Sequence, residues 1–566
     1  MTQQLPTKRH LLAVLLEDYY HVGAFDYLIQ RGQWTRFEAR FEHNTHIALD
    51  LLDRFQAQVT FFSLGWIAER QPEIIREITR RGHEIALYSN LDLHRTNPAE
   101  FRDEVRRARE SLEEASGKRV LGFRAAQRWQ LKNAQWALEI LAAEGFTYDA
   151  SIAPTTEVLR AHPERRFAHQ LALGDKQFWE FPVSTAKLPG FLMPIAGGNF
   201  FRQFPHTIVK QAVRKWHESY EAPFVMYFHV WELDRLQPRI NSASSLAKIR
   251  HYRNLGKMYW VIEDYLRKYS FTSFADHLSL DTKPDPVLVK SSAIKSREVI
   301  KLSSPEINKT PISIIIPCFN EESSLPYLAN TLSSVEETLS DKYKPSFVFV
   351  DDCSTDKTRE LLQKLFGSKS NFSIVRHEKN RGVAAAIMTG IRAAKTEVVC
   401  SMDCDCTYDP HELKNMIPLL QADVSLVTAS PYHPEGKVLN VPAWRLTLSK
   451  GSSFLYRQVL RQKLATYTSC FRVYRKNIVD KLELEEDGFL GVAELLGKLD
   501  VQGKKVIEYP ATLAVRLFGY SKMKLLKTIL GHLKLLSRLL KLRLSSRNTI
   551  SDGSQQKLQI RDVTIK

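Results

Sequence analysis

Short apolar runs alternate with longer charged stretches of helical period along most of this chain. Between His10 and Leu280 the run Leu11–Leu16 is followed by a helical pattern at Thr45–Arg54. A second run at Val59–Leu64 and a second helical pattern at Glu73–Arg81 come next. Such βα alternation predicts a parallel sheet or barrel. From Asp281 to Lys309 the pattern lapses into Pro, Ser and Lys without sustained period, which reads as a linker. At Pro311 a new βα series opens with ISIIIP and repeats with FVFVDD and EVVCSMD. The expected organisation is a first domain over 1–280, a linker over 281–309, and a second α/β domain over 310–521. A basic amphipathic helix over 522–545 and a polar tail over 546–566 complete it.

At 566 residues the chain exceeds one ordinary core, and 44% hydrophobic with 25% charged residues is a globular composition. The net charge of +17 invites a nucleic-acid reading, but no nucleic-acid motif accompanies it. A basic enzyme meeting anionic substrates or a negatively charged membrane surface fits better. All six cysteines lie in the second half and none forms a CxxC pair. Cys400, Cys404 and Cys406 fall in and beside a strand and read as packing thiols rather than metal ligands. The start has only a six-residue apolar run before Glu17 and Asp18, which is no secretory signal. No run approaches the roughly 18 apolar residues of a membrane span. A reduced, cytoplasmic protein is expected.

In the second domain the chemistry gathers at strand ends. ISIIIP leads into Cys318-Phe319-Asn320-Glu321-Glu322, FVFV into Asp351-Asp352-Cys353-Ser354-Thr355-Asp356, and a third strand into Asp403-Cys404-Asp405. Ligands of doubly wound sheets bind at such carboxyl ends. Two carboxylates at i and i+2 on a turn can face one hard cation, Mg²⁺ or Mn²⁺, which in turn would hold a diphosphate. A lone DxD is weak, whereas three acidic strand ends in this order are not. Asp351 and Asp356 read equally well as turn and helix caps.

The motifs PCFNEE, VDDCSTDKT, Asn380-Arg381-Gly382 with Gly390, MDCDCTYDP, TSCFRVYR and Arg516–Lys522 follow one another over about 220 residues. This half resembles family-2 glycosyltransferases of the GT-A fold, in particular polyprenyl-phosphate sugar synthases such as dolichyl-phosphate mannose synthase. The resemblance implies that Pro317, Asn320, Glu321, Asp351, Asp352, Arg381 and Gly382 shape a nucleotide-sugar pocket. It implies that Asp403 and Asp405 hold Mg²⁺ or Mn²⁺, and that Arg516 and Lys522 reach donor or acceptor phosphates. Arg472 is expected as an acceptor contact or a surface ion pair. A polyprenyl phosphate acceptor is already anionic, whereas a sugar hydroxyl would need a carboxylate base. Glu494 is the candidate base, its other reading being a helix surface charge. Two departures from the family pattern are Cys470 in place of Gly and Thr407 in place of a metal-proximal Gln. After Lys522, Leu526, Ile529, Leu533, Leu536 and Leu540 share one helical face and Lys527, Lys534, Arg538 and Lys541 the other. Leu535, Leu539 and Leu542 blur the boundary. A helix packed on the domain and an in-plane membrane anchor both fit.

The first half carries RFEHNT at 40–45, TFFSLGW at 60–66, GHEIA at 82–86, GGNFFR at 197–202 and YFHVWEL at 227–233. Over about 260 residues it resembles the polysaccharide deacetylases of exopolysaccharide loci, which implies a distorted (β/α)₇ barrel. The family's acidic pair and two-His metal loop are altered. Leu15 stands where the leading Asp would fall, beside Glu17 and Asp18, and Tyr88 replaces the first metal His. Only Asp92 or His94 could stand for the second. Arg124 survives without the Pro that follows it in the family, and His229, the general acid, is retained. Zinc is not expected here. The reading is a glycosyltransferase acting on a lipid-linked or envelope glycan, fused to a degenerate deacetylase-like domain. Its rivals are a bifunctional deacetylase–transferase and a non-catalytic glycan-binding scaffold. The expected partners are a nucleotide-sugar, that acceptor and the inner face of the cell membrane.

Overall fold

The computed structural model describes residues 8–127, 129, 131–152, 156–188, 191–283, 309–519 and 529–545. Most of the expected linker, the segment containing Lys522 and the polar tail lie outside the described residues. The chain divides into two compact units. The first is Met1–Trp34, Ala39–Pro238 and Ala243–Lys301, and the second is Thr35–Glu38, Arg239–Ser242 and Leu302–Lys566.

In the first unit the apolar run becomes β1 (Arg9–Leu16), whose residues from His10 on are all buried. Burial on both faces is why that strand shows no alternation. It is followed by β2 (Thr60–Leu64), β3 (Glu84–Ser89), β4 (Gly122–Ala125), β5 (Tyr148–Asp149), β6 (His169–Leu173) and β7 (Lys176–Glu180). A hairpin of β8 (Thr185–Leu188) and β9 (Phe191–Pro194) precedes β10 (Val225–His229) and β11 (Ser270–Thr272). The order is β10-β1-β2-β3-β4-β5-β7-β6, with β11 also on β1, and all but β6 run parallel in the ladder. This is the strand sequence of the expected distorted barrel, and the ladder stays open between β6 and β10 among the described residues. Register sets Leu15 beside His229, Leu64 beside Tyr88, and Tyr88 beside Arg124, so one end of the sheet collects the polar residues.

The second unit holds β12 (Thr310–Cys318), β13 (Tyr343–Asp351), β14 (Phe372–Arg376), β15 (Val398–Ser401), β16 (Val424–Ser430), β18 (Arg472–Arg475) and β19 (Lys505–Pro510) in one sheet. A small ladder pairs β17 (Lys437–Leu439) with β20 (Thr512–Ala514). The main order is β14-β13-β12-β15-β18-β16-β19, with β18 antiparallel to both neighbours. Strand order reverses between β12 and β15, and the crevice of a doubly wound sheet forms at such a switch point. Two apolar clusters supply the core. One gathers Ile312, Leu332 and Phe349, the other Ile315, Ile387 and Leu496.

Residues 529–545 are helical and bury Leu535, Leu536 and Leu539 in the second cluster, with His532 also buried. This corrects the expected face in part: its Leu536 is packed, but Ile529, Leu533 and Leu540 are exposed. Of the residues that blurred the boundary, Leu535 and Leu539 pack inward beside Leu536, while Leu542 is exposed.

Candidate active site

The carboxyl ends of β12, β13 and β15 converge at the switch point. Pro317 is half-buried at the end of β12. Asn320 then takes a left-handed conformation, φ 52°, and its Oδ1 accepts the Thr355 N–H at 2.7 Å. Its own N–H meets Ser354 Oγ at 2.9 Å, so the loops after β12 and β13 are laced together. Asp351 is buried and accepts the Ser354 N–H at 2.9 Å, closing a turn. Asp356 accepts the N–H groups of Thr358 and Glu322, which is capping as well.

Asp352 does more. Its two oxygens accept the Arg381 and Gly382 N–H groups at 2.8 and 2.7 Å, and His377 Nδ1 lies 2.7 Å away. The other His377 nitrogen reaches Thr389 at 3.0 Å. Gly382 has φ +99°, and an added Cβ would meet the Asp487 carbonyl at 2.7 Å, so only glycine serves there. Asp352 and Gly382 thus shape the 380–382 loop through the backbone. Sequence reasoning missed His377.

At the third strand end Cys318 and Cys404 pack Sγ to Sγ at 3.7 Å. That contact, and then burial, push the Cys404 thiol well up, as befits a packing thiol. Asp405 Oδ1 accepts the Thr407 N–H at 3.0 Å, and its Oδ2 receives Arg516 Nε at 2.5 Å. Arg516 Nη1 also donates to Glu321 Oε1 at 3.1 Å. The Asp403 carboxyl is pushed up to about 7, first by burial and then by Asp405, against the pull of Arg516. Cys470 lies against Asp403 and gives it a thiol hydrogen bond, a contact the departure from Gly did not reveal.

Asp403, Asp405 and Glu321 therefore share one guanidinium, an excess of negative charge that suits a hard dication. Among the described residues no group of three or more His, Cys, Asp or Glu side chains is arranged to hold a metal. Two carboxylate ligands would leave the other positions of Mg²⁺ or Mn²⁺ to water and a diphosphate.

Two expected roles are corrected. Arg472 is neither a surface ion pair nor an acceptor contact. It is fully buried in β18, donating to the Val492 and Tyr467 carbonyls at 2.8 Å each. Glu494 is no free base. It is also fully buried and accepts the Glu485 and Glu486 N–H groups at 2.9–3.1 Å, with Lys498 at 2.8 Å and Arg538 at 3.6 Å. Both sit inside helix–strand packing that no local pattern displays.

From Asp405, Thr407 and Arg516 a cavity of about 470 Å³ extends between the helix Ala443–Val459 and the helix at 529–545. Its walls are mostly apolar, with Leu446, Leu448, Leu455, Phe489 and Leu533 among them. Arg445 also lines it, and its buried Nε has no hydrogen-bond partner. His532 lines it too, tied through Nδ1 to the Tyr456 hydroxyl at 2.8 Å and held neutral by burial.

In the first unit, Asp18 is corrected as well. Its carboxylate accepts the N–H groups of Tyr19, Arg40 and Phe41 at 2.8, 2.5 and 2.9 Å, holding the start of the helix Phe41–Arg54. The residue beside it, Glu17, is the one that meets His229. Glu17 Oε1 lies 2.6 Å from His229 Nδ1 and accepts the Trp231 indole N–H at 3.2 Å. Arg124 is buried over the Tyr227 ring at 4.7 Å and donates to the Ala150 carbonyl. Tyr88 is buried near Glu17 with its hydroxyl pushed well up by burial. Asp92 is engaged by the His94 N–H in a turn, and His94 is exposed.

Comparison with known proteins agrees with these two assignments. Residues 313–483 match the model of glycosyl transferase family 2, and residues 31–146 that of polysaccharide deacetylase. Residues 150–279 match a domain of unknown function, DUF3473. A dolichol-phosphate mannosyltransferase of Pyrococcus furiosus is 33% identical over 234 residues, 41% of this chain and 64% of that protein. The chain thus spans somewhat under two thirds of that relative. A polyprenol monophosphomannose synthase of Mycolicibacterium smegmatis is 29% identical over 218 residues, 37% of this chain and 80% of that one. Among solved structures, glucosyl-3-phosphoglycerate synthase from Mycobacterium tuberculosis with Mn²⁺ and UDP matches at 17% identity and a TM-score of 0.31. That match covers 42% of this chain and 80% of the synthase.

Proposed function

Since the chain joins a polysaccharide deacetylase domain to a family-2 glycosyltransferase domain, we propose that the second unit moves a sugar from a nucleotide-sugar to a polyprenyl phosphate or another lipid-linked envelope glycan. The observation that carries this reading is the cavity of about 470 Å³. It begins at Asp405 and Arg516 and continues as an apolar passage lined by Arg445, whose guanidinium lies over the Trp444 ring and whose buried Nε has no hydrogen-bond partner. An acceptor with an anionic head and a hydrocarbon body matches that lining. The two curated relatives are named for mannose and for dolichol or polyprenol, which makes mannose the first sugar to try.

Asp403 and Asp405 would hold a divalent cation, which when bound supplies Lewis-acid stabilisation to a leaving diphosphate. Arg516 leaves its carboxylate partners for the donor phosphates, and Arg445 takes the acceptor phosphate. That phosphate is anionic and attacks without a general base, in keeping with the commitment of Glu494 to its loop. Nucleotide-sugars being the donors, the reaction belongs at the cytoplasmic face of the membrane.

We also read the first unit as no longer deacetylating. Leu15 brings no carboxylate, Asp18 serves a helix start, and Tyr88 is a poor substitute for an imidazole ligand.

The test is to incubate the protein with UDP-, GDP- and dTDP-sugars, GDP-mannose included, with and without a short water-soluble prenyl phosphate. Nucleoside diphosphate release should rise with the prenyl phosphate. Arg445→Ala should raise the KM for that acceptor by about tenfold or more, the worth of one charge-assisted contact. Release stimulated by a neutral saccharide and not by the phosphate would refute the reading.

A further inference from the structure

The second unit is not drawn from the later part of the chain alone. It also takes in Thr35–Glu38 and Arg239–Ser242, two short segments far upstream. Both reach the stretch that follows Arg516. The strand β20 ends at Ala514, whose N–H donates to the Thr407 carbonyl at 2.9 Å, and Val515 to Gly519 form no helix or strand. Asn241 holds that stretch twice. Its backbone N–H donates to the Leu517 carbonyl at 2.8 Å, and its Nδ2 donates to the Gly519 carbonyl at 3.3 Å. The two acceptors flank Phe518, which is buried against the rings of Tyr327 at 5.7 Å and Phe37 at 6.0 Å. Phe37 is tied in its turn, since the Asn330 side chain donates to its carbonyl at 3.1 Å from the helix Leu325–Leu339.

Among the described residues no other backbone hydrogen bond holds Leu517, Phe518 or Gly519. Gly519 sits at φ +70°, where glycine meets no steric cost, so its own geometry does not stiffen the stretch. On the opposite side Arg516 is ion-paired with Asp405 and Glu321, the carboxylates of the candidate site. The loop is thus suspended between that site and Asn241. Ring packing around Phe518 fixes where the loop lies but tolerates rotation. Hydrogen bonds to two carbonyls set the planes of the peptides after Arg516, because such bonds weaken steeply with angle. Those planes decide the direction in which the Arg516 side chain leaves the backbone.

We propose that Asn241 is a positioning residue of the transferase, latching the Arg516–Gly519 loop so that the guanidinium stands ready for the donor diphosphate. The backbone stays in place while the side chain turns from Asp405 and Glu321 to the phosphates, so little ordering is left for the donor to impose. Asn241 acts through the loop, and the contact with the donor belongs to Arg516. The latch stands on the two hydrogen bonds, while its effect on the donor rests on the reading of Arg516 given above.

The experiment compares the full chain with its Asn241→Asp and Asn241→Gln variants. Aspartate keeps the size and the backbone N–H but offers the Gly519 carbonyl no side-chain donor. Glutamine keeps the amide on a longer arm. One readout is the rate at which trypsin cuts the Arg516–Leu517 bond of the native chain, followed by mass spectrometry. The other is KM and kcat for the nucleotide-sugar, from nucleoside diphosphate release with a divalent ion present. Asn241→Asp should be cut about three- to tenfold faster at that bond and should raise the donor KM by a similar factor, with kcat within about twofold. Asn241→Gln should recover part of both, and both variants should melt close to wild type. Cleavage and kinetics of Asn241→Asp that match wild type would overturn the proposal. So would faster cleavage with an unchanged donor KM, or a large fall in melting temperature with cutting spread over the whole chain, because Asn241 would then serve the fold and not Arg516. Faster cutting at Arg516 in a chain whose wild type releases no diphosphate from any nucleotide-sugar would uphold the latch and sink the transferase reading instead.

Discussion

Glu494→Ala separates a structural carboxylate from a catalytic one. In the native fold this side chain is wholly buried and accepts the N–H groups of Glu485 and Glu486 while balancing Lys498 and Arg538. Truncation leaves two backbone donors and an ammonium without their acceptor. Breaking a buried ion pair costs about 3–5 kcal/mol. Lys498 and Arg538 keep some solvent contact and can fall back on Glu485, so the lower end, about 3 kcal/mol, applies. A domain of this size loses about 2–4 °C of Tm per kcal/mol, which gives a fall of about 6–12 °C. Glu494→Gln keeps one acceptor and should cost about half as much. Differential scanning fluorimetry reads the stability, and nucleoside diphosphate release well below the melting point reads turnover. Glu494→Gln should keep kcat within about twofold, whereas loss of a general base costs about 10²–10⁴. A Gln variant that melts like wild type yet loses a hundredfold in kcat would show that the base assignment deserved to stand.

Asp352→Asn removes the charge that gathers the 380–382 loop and His377, and should raise the donor KM about tenfold with a smaller change in kcat, read by initial rates. The first unit should be labile to mild acid. Burial holds His10 at about 3 and His83 at about 4, below the 6.5 of the unfolded chain. Their contribution is complete above about pH 6.5 and is lost as pH falls towards 4, because the unfolded chain then binds protons the native state refuses. At pH 5 each accounts for about 2 kcal/mol, and urea midpoints that match at pH 5 and 7 would contradict this. The full chain should release no acetate from acetylated glucosamine oligomers. Stoichiometric zinc with turnover abolished by His229→Ala would promote the bifunctional reading.

What the sequence displayed and what it hid divide along physical lines. β1, β12 and β13 were legible because runs such as LLAVLL and ISIIIP are long, apolar and bounded by polar strand ends. Asp403, Asp405, Asn320 and Glu321 were legible for the same reason, since a strand end fixes a side chain's neighbourhood within a few residues. Arg472 and Glu494 were not, because their burial is set by elements 20 or more residues away or by a loop that folds back on them. The tail helix was half legible. Both leucine stripes were visible, but which one packs depends on Gly497 and its surroundings, where an added Cβ would meet Leu539 at 2.5 Å. In the first unit the choice between Glu17 and Asp18 could not be made from adjacency. β1 ends so that one carboxylate meets His229 and the other turns to the helix at Phe41.

The central claim is that the second unit transfers sugar at the crevice holding Asp403 and Asp405. It is tested most directly by following labelled sugar from the active nucleotide-sugar into a prenyl phosphate, with Mg²⁺, with Mn²⁺ and with a chelator. Wild type should form sugar-phosphate lipid only with a divalent ion, and Asp403→Asn and Asp405→Asn should each reduce it by at least about a hundredfold while remaining folded. Undiminished product from both variants, or from wild type with the metal removed, would contradict the account.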